Sequence, residues 1–425
     1  MDPRKPDIPP PQIIKALRNF NLLPAIVFLP TRRRCDEAAQ EVAADKSQRA
    51  DPERQQQRKE IFEEFAKDNP EIHDHKHAGV IVRAGVAAHH AGHIPSWKLL
   101  IERMMSAGLV NALFATSTVA AGVDFPARSV VISNADTRGN DGWRPLTASE
   151  LQQMTGRAGR RGRDNVGFVV VAPGQFQNPK KIAELLSAPP DPLRSQFRAT
   201  YISFLNLLDA FGSFEQVRAI TERSFAFRGK HRDNDGLSDR IWEPFERKAA
   251  VLDSFGYIDL ASEQVTPSGK WLADLRIDRP LLVGEALKSG VFDDLTPSQA
   301  AGLMASVASD ADRSYGEMRA TRTMNDILAD FEDLVVTVSN VEWKHGVEPT
   351  EDINYSAAAA AERWTDGMSW DELVDRTRAE EGDLVRLLSR TGEALRQLAN
   401  LRGSNPAAAA VASAAADAIL REPVR

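Results

Sequence analysis

Short, wholly apolar runs that alternate with helix-length segments are the strongest constraint on how this chain folds. Ala25 to Leu29 lies between Pro24 and Pro30, and Asn111 to Ala115, Ser129 to Ser133 and Val166 to Val171 have the same character. Runs of that length without polar alternation suit strands covered on both faces, as in a parallel sheet. Segments between them, such as Pro95 to Gly108 and Ala148 to Arg160, carry helical patterns, so the reading is an α/β doubly wound parallel sheet. In such sheets the loops at the carboxyl ends of strands do the binding, and Thr116 to Asp124 follows a strand directly.

Gln152-Gln153-Met154-Thr155-Gly156-Arg157-Ala158-Gly159-Arg160-Arg161-Gly162 gathers arginines and glycines where little else would want them together. Thr147 with Glu150 three residues later is a capping-box signature, so a helix is expected to start near Ala148. If it runs on to Arg160, Gln153, Arg157 and Arg160 share one side at three- and four-residue spacing. Guanidinium groups held that way suit a triphosphate. Gly156 and Gly159 remove side chains from the same turns and allow close approach, at a cost in helix propensity. On composition alone, an exposed basic helix that contacts solvent or nucleic acid is the alternative.

Together with its neighbours this stretch resembles motif VI of superfamily 2 helicases. Phe114 to Arg128 resembles motif V, Ala25 to Arg32 resembles motif IV, and Val86 to Gly92 matches the family's HHAG segment. Order and wording are most similar to the superkiller-like branch, which includes exosome-associated RNA helicases of the DExH type. The resemblance implies a RecA-like domain that uses ATP with Mg2+ and acts on single-stranded RNA, with an RNA-degradation nuclease as a partner. It implies that Arg160 is the arginine finger, that Arg157 binds the same phosphate and that Gln153 couples nucleotide to the interdomain cleft. Gly122 and Asp124 would sense the ribose and the closed interface, while Arg32, Thr116 and the backbone at Gly92 would hold RNA phosphates.

The first RecA-like domain of such an enzyme carries a Walker A lysine and a DExH carboxylate pair, and neither is found here. Gly269-Lys270 is followed by Trp271 without the upstream glycine of a phosphate loop, and Asp36-Glu37 sits in a helical pattern after motif IV. The chain therefore resembles the C-terminal part of a helicase. Its Mg2+ ligands are expected on a first RecA-like domain, in cis or in trans.

Beyond Phe176 the pattern changes, and Ala188-Pro189-Pro190-Asp191-Pro192 reads as a stiff linker. Helical segments Thr200 to Phe211 and Phe245 to Phe255, followed by Gly256 to Leu260 and Gln264 to Pro267, read as helices and a short hairpin, which fits a winged helix or a structural connector. The resemblance favours the winged helix. Only Gly229 to Ser238 stands where eukaryotic members carry a long arch. The rest is helical, with N-cap and proline signals at Thr296-Pro297 and Asn405-Pro406. Trp364, Gly367 and Glu381 to Arg386 resemble the family's C-terminal DSHCT domain. Leu384, Leu387, Leu388, Leu395 and Leu398 fall on a packed helix face, with Arg386, Arg390 and Arg396 off it. Family helices of this kind line an RNA exit path, which puts Arg386 among the nucleic-acid candidates; solvation is the alternative. The expected layout is an extended lead-in over 1–12, a second RecA-like domain over 13–187, a winged-helix-like domain over 188–290 and a helical domain over 291–425.

A chain of 425 residues with 42% hydrophobic content can bury two or three cores. No segment is apolar enough to span a membrane, and the charged start lacks the apolar run of a secretory signal, so a cytoplasmic location is expected. The formal net charge of −7 confines nucleic-acid affinity to local basic tracks. Cys35, the single cysteine, excludes an internal disulfide and a cysteine zinc cluster. His89 and His93 are four apart and His73, His75 and His77 alternate, yet no metal is expected: the family match explains His89 and His90, and the trio lies in a charged insertion with no cysteine partners. Three readings follow: part of an ATP-dependent RNA helicase, an RNA- or partner-binding module without ATPase activity, and a fragment of a DNA-repair helicase sharing motifs IV to VI.

Overall fold

The computed structural model describes residues 7–46, 51–117, 127–139, 142–193, 195, 197–225, 237–310 and 313–425. The chain divides into two compact units, one comprising Met1–Pro192 with Glu381–Asp383 and the other Leu193–Glu380 with Leu384–Arg425.

In chain order the first unit contains α1 (Pro10–Asn19), β1 (Ala25–Phe28), α2 (Arg32–Ala44), α3 (Pro52–Asp68), α4 (Ala78–Ala84), β2 (Val86–His89), α5 (Pro95–Ser106), β3 (Ala112–Ala115) and β4 (Ser129–Ile132). A hairpin of β5 (Asp136–Gly139) and β6 (Gly142–Pro145), then α6 (Ala148–Thr155), β7 (Phe168–Val171) and α7 (Pro179–Ser187) complete it. Five strands form one sheet in the order β2-β3-β1-β4-β7, every neighbouring pair parallel. Ala25, Val27, Ala112, Phe114 and Val131 share a buried cluster with α1 and α2. The alternate residues Ile26, Leu113 and Val130 point the other way and are also fully buried, so both faces are covered. This arrangement fits a RecA-like fold.

The strands follow the apolar runs closely, but three features differ from expectation. Helix α6 stops at Thr155 instead of reaching Arg160, with Gly156 as its C-cap. Ala158 instead forms an isolated parallel bridge with Ala127, and Gly159 has a φ of +90°, which no right-handed helix accommodates. Strand β2 and the β5–β6 hairpin were not foreseen. The Lys46 to Lys76 insertion contains one 17-residue helix, α3, and a 3-10 turn at Pro70–Ile72. It is not a loose appendage, because the buried Arg58 donates to the carbonyls of Val82 at 2.8 Å, Arg83 at 3.1 Å and Leu109 at 3.3 Å.

The second unit is almost wholly helical: α8 (Tyr201–Phe211), α9 (Phe214–Glu222), α10 (Leu237–Ser254), then a small antiparallel pair β8 (Ile258–Asp259) and β9 (Gln264–Val265). There follow α11 (Pro267–Ala273), α12 (Pro280–Lys288), α13 (Pro297–Ala308), α14 (Arg322–Lys344), α15 (Tyr355–Thr365), α16 (Trp370–Thr377), α17 (Glu381–Ala399) and α18 (Pro406–Ile419). Helix α17 straddles the division, since its first three residues belong to the first unit. Small residues let α13 and α15 approach closely; a Cβ on Gly302 would lie 3.1 Å from the Ala358 carbonyl. Trp364 anchors α18 by donating to the Ile419 carbonyl at 2.8 Å. The leucines foreseen on α17 are all buried. The capping box at Thr296 forms, whereas Asn405 heads α18 without a side-chain cap because its amide donates to Ser404. Residues 226–236, where an arch would be inserted, lie outside the described residues.

Arg58→Ala strips three carbonyls of a charged donor and is expected to cost about 2–4 kcal/mol of stability. Urea unfolding measures it; a loss under about 0.5 kcal/mol would mean that water replaces the guanidinium at no cost.

Candidate nucleotide and nucleic-acid interface

Chemistry in a sheet with both faces buried is confined to its edges, and here the two edges carry different groups. Phe28, Ala115 and His89 stand at one level in β1, β3 and β2, so the loops leading to Arg32, Thr116 and Gly92 leave from one carboxyl edge. Thr31 caps α2 by accepting from the Arg34 amide, which fixes the departure of Arg32. Arg32 is not left to solvent: its Nη1 lies 2.8 Å from Asp383 Oδ2. Arg33 pairs with Glu37, and Arg34 with Glu37 and Glu41. Thr116 follows β3 directly and is half-buried. Gly92 is buried, its amide donating to His90 Nδ1 at 3.2 Å and its carbonyl accepting from the Gly382 amide at 3.0 Å. Residue 382 must be glycine here, because a Cβ would collide with the Ala91 carbonyl.

Trp143 on β6 adds an aromatic to this side of the fold. It is 59% exposed and helps line a cavity of about 280 Å³ with Leu29, Thr31, Asn134 and Phe176. Sequence reasoning missed it, since a single tryptophan between Gly142 and Arg144 carries no periodicity that separates surface from core.

The arginine-rich loop sits at the opposite, amino-terminal edge. Ala127 precedes β4, and its amide donates to the Arg157 carbonyl at 3.0 Å while its carbonyl accepts from the Gly159 amide at 2.7 Å. Gly167 completes this crossing, since a Cβ there would run into the Ala158 carbonyl. Gln153 is exposed on the last turn of α6, and Arg157 is half-buried just past its end. Arg160 is gripped side-on by Asp164: Nε donates at 2.7 Å to Oδ2, Nη2 at 3.0 Å to Oδ1, and the Arg160 amide also meets Oδ2 at 3.1 Å. Arg128 donates to the same carboxylate at 2.9 Å. Hydrogen bonding from Arg160 pulls the Asp164 carboxyl down to about 2 against the effect of burial, so it is ionised at neutral pH. The side-on grip engages Nε and Nη2 and directs Nη1 away from the carboxylate.

The structure thus gathers Gln153, Arg157 and Arg160 at one edge and Arg32, Gly92 and Thr116 at the other. Gly122 and Asp124 lie outside the described residues. Arg386 is exposed on α17 in the second unit. Asp164 was not foreseen; its position four residues after Arg160 was the available signal.

Two histidines of the alternating trio, His75 and His77, are buried. His75 stacks on Trp97 with ring centroids 3.7 Å apart, and His77, His90 and His93 surround Asp36. Burial pushes His89 down to about 4 and His93 down to about 3, which makes both neutral imidazoles at pH 7.

Comparison with known proteins gives two domain matches: the helicase conserved C-terminal domain over residues 83–162 and the DSHCT (NUC185) domain over residues 262–425. The chain is 34% identical over 290 residues to a probable helicase, HelY, of Mycobacterium leprae, covering 66% of this chain and 30% of that protein. It is 35% identical over 203 residues to the antiviral helicase SKI2 of Saccharomyces cerevisiae, covering 47% and 16%. With the human exosome RNA helicase MTR4 it shares 32% identity over 228 residues, covering 49% and 21%. The match spans less than a third of each of these relatives.

Asp164→Ala leaves two guanidinium groups and a backbone amide without their acceptor, and is expected to cost about 2–3 kcal/mol. Arg160→Ala, which leaves Arg128 still paired, should cost less. Denaturant titration of both variants checks the ranking, and the reverse order would refute this account of the loop.

Proposed function

We propose that this chain, which is the C-terminal portion of a superkiller-like DExH helicase, works as the second half of an ATP-driven RNA motor. The observation that carries the reading is the separation of two sets of side chains at the two sheet edges. Arg157 and Arg160 stand on a loop fixed at the amino edge, while Arg32, Thr116 and an exposed aromatic stand at the carboxyl edge.

Arg160 is the arginine finger in this reading. Asp164 holds the guanidinium plane in advance, so Nη1 meets the γ-phosphate without the ordering cost of a free side chain. Arg157 adds a second cation and Gln153 links the loop to the cleft. The guanidinium pair fits a triphosphate. Asp164 is engaged by Arg160 and Arg128, so the loop offers no carboxylate for Mg2+, which belongs with the carboxylates of a first RecA-like domain. Gly122 and Asp124 complete the nucleotide contacts.

At the other edge, Arg32 and Thr116 position RNA phosphates and Trp143 stacks a base, whereas the Gly92 backbone, foreseen in the same role, is buried with its amide and carbonyl both engaged within the fold. The helices α8 and α10 with the β8–β9 hairpin form the winged-helix-like element, and Arg386 lies on the exit path. RNA is favoured over DNA by the DSHCT domain and by relatives described as RNA helicases; a nuclease of RNA degradation is the partner class. The chain holds neither a Walker A lysine nor a DExH pair, so ATP hydrolysis needs another domain. That same observation supports the second reading, a binding module without ATPase activity.

ATP hydrolysis in the presence of single-stranded RNA, measured with this chain and a separately produced first RecA-like domain, tests the motor. Activity should appear only in the mixture, and Arg160→Ala or Arg160→Lys should reduce it about a thousandfold or more, because an ammonium lacks the planar fork. RNA binding without any restored hydrolysis would sink the motor and leave the binding module. Trp143→Ala should weaken single-stranded RNA binding by about 1–3 kcal/mol while leaving its dependence on salt unchanged, as befits a lost stacking platform; a flattened salt slope would contradict stacking.

A further inference from the structure

Asp36 lies in the second turn of α2 and is surrounded by three imidazoles from separate places in the first unit. His77 is the N-cap of α4, His90 follows β2, and His93 stands in the loop before α5. Each presents Nε2 at 3.2 Å from the same oxygen, Asp36 Oδ1. The three histidine side chains are no more than 4% exposed. A carboxylate oxygen has two lone pairs and cannot accept three N–H donors in good geometry. Accordingly only His90 makes a hydrogen bond to it, while Nε2 of His77 and of His93 are buried without a hydrogen-bond partner. Both side chains are aimed at a common centre that hydrogen bonding leaves unsatisfied.

We propose that Asp36, His90 and His93 form a binding site for a divalent d-block cation of the zinc class. One potential ligand atom from each lies within 4.8 Å of the others, and His77 Nε2 stands beside them, 3.2 Å from Asp36 Oδ1. Two imidazoles and one carboxylate form a borderline nitrogen and oxygen donor set that suits zinc and disfavours calcium or magnesium. The cation ties α2 to the β2–α5 loop. His75 supports it from outside, accepting from the His77 amide at 3.3 Å and stacking on Trp97. Ligation through Nε2 puts the remaining proton of His90 on Nδ1, so the cation and the hydrogen bond from the Gly92 amide to that nitrogen, 3.2 Å long, exclude one another.

The test is the metal content of the full chain purified without an affinity tag, followed by chelation and back-titration with Zn2+ and Co2+. Expected are about one zinc per chain, a rise of the melting temperature on reloading, and the intense visible absorption of tetrahedral Co2+. His90→Ala and His93→Ala should each weaken zinc binding by about a hundredfold or more. No uptake by the chelated wild-type chain, or uptake that both substitutions leave intact, overturns the site. If neither variant folds, the wild-type Co2+ spectrum decides, and weak six-coordinate absorption refutes the proposal.

Discussion

Everything in the first unit depends on β1. It is hydrogen-bonded to β3 on one side and β4 on the other, and each of its four side chains is buried. A strand in that position offers no surface for chemistry, and its backbone is fully engaged. Function must therefore be placed at strand ends, where loops leave the sheet. The parallel arrangement sorts those loops, because all carboxyl ends share one edge and all amino ends the other. Arg32 and Thr116 at one edge and Arg157 and Arg160 at the other are thereby kept apart on one element.

The arginine-rich loop shows how backbone constraint and charge cooperate. Glycines at 159 and 167 let two backbone segments pass in contact, and the Ala127 peptide grips the loop through both its amide and its carbonyl. Within that frame Asp164 holds Arg160 and Arg128 through one carboxylate. A flexible arginine must be ordered each time it acts, whereas one held by two hydrogen bonds begins close to its working geometry.

The strands were legible because a buried parallel strand leaves an apolar run that little else produces. Strand β2 was not, since Val86-Ala87-Ala88-His89 is short, rich in alanine and ends in a histidine. The helix at Ala148 was legible from Thr147 and Glu150, but its end was not. Arginine spacing alone suggested continuation, and the bridge to Ala127, which only the fold supplies, stopped it. The candidate residues were readable to the extent that they lie within one short stretch. Asp36 and its histidines converge from distant segments, and Arg32 finds its carboxylate at Asp383, so neither pattern exists at the level of sequence spacing.

Gly382 and Asp383 close the carboxyl edge, yet they stand far beyond the rest of the unit in the chain. A ribosome that has delivered Pro192 has delivered every strand of the large sheet. Arg32 then still lacks Asp383, and the Gly92 carbonyl still lacks its amide. The edge acquires these two polar contacts only once the start of α17 has been made, so the sheet waits for its own closing residues.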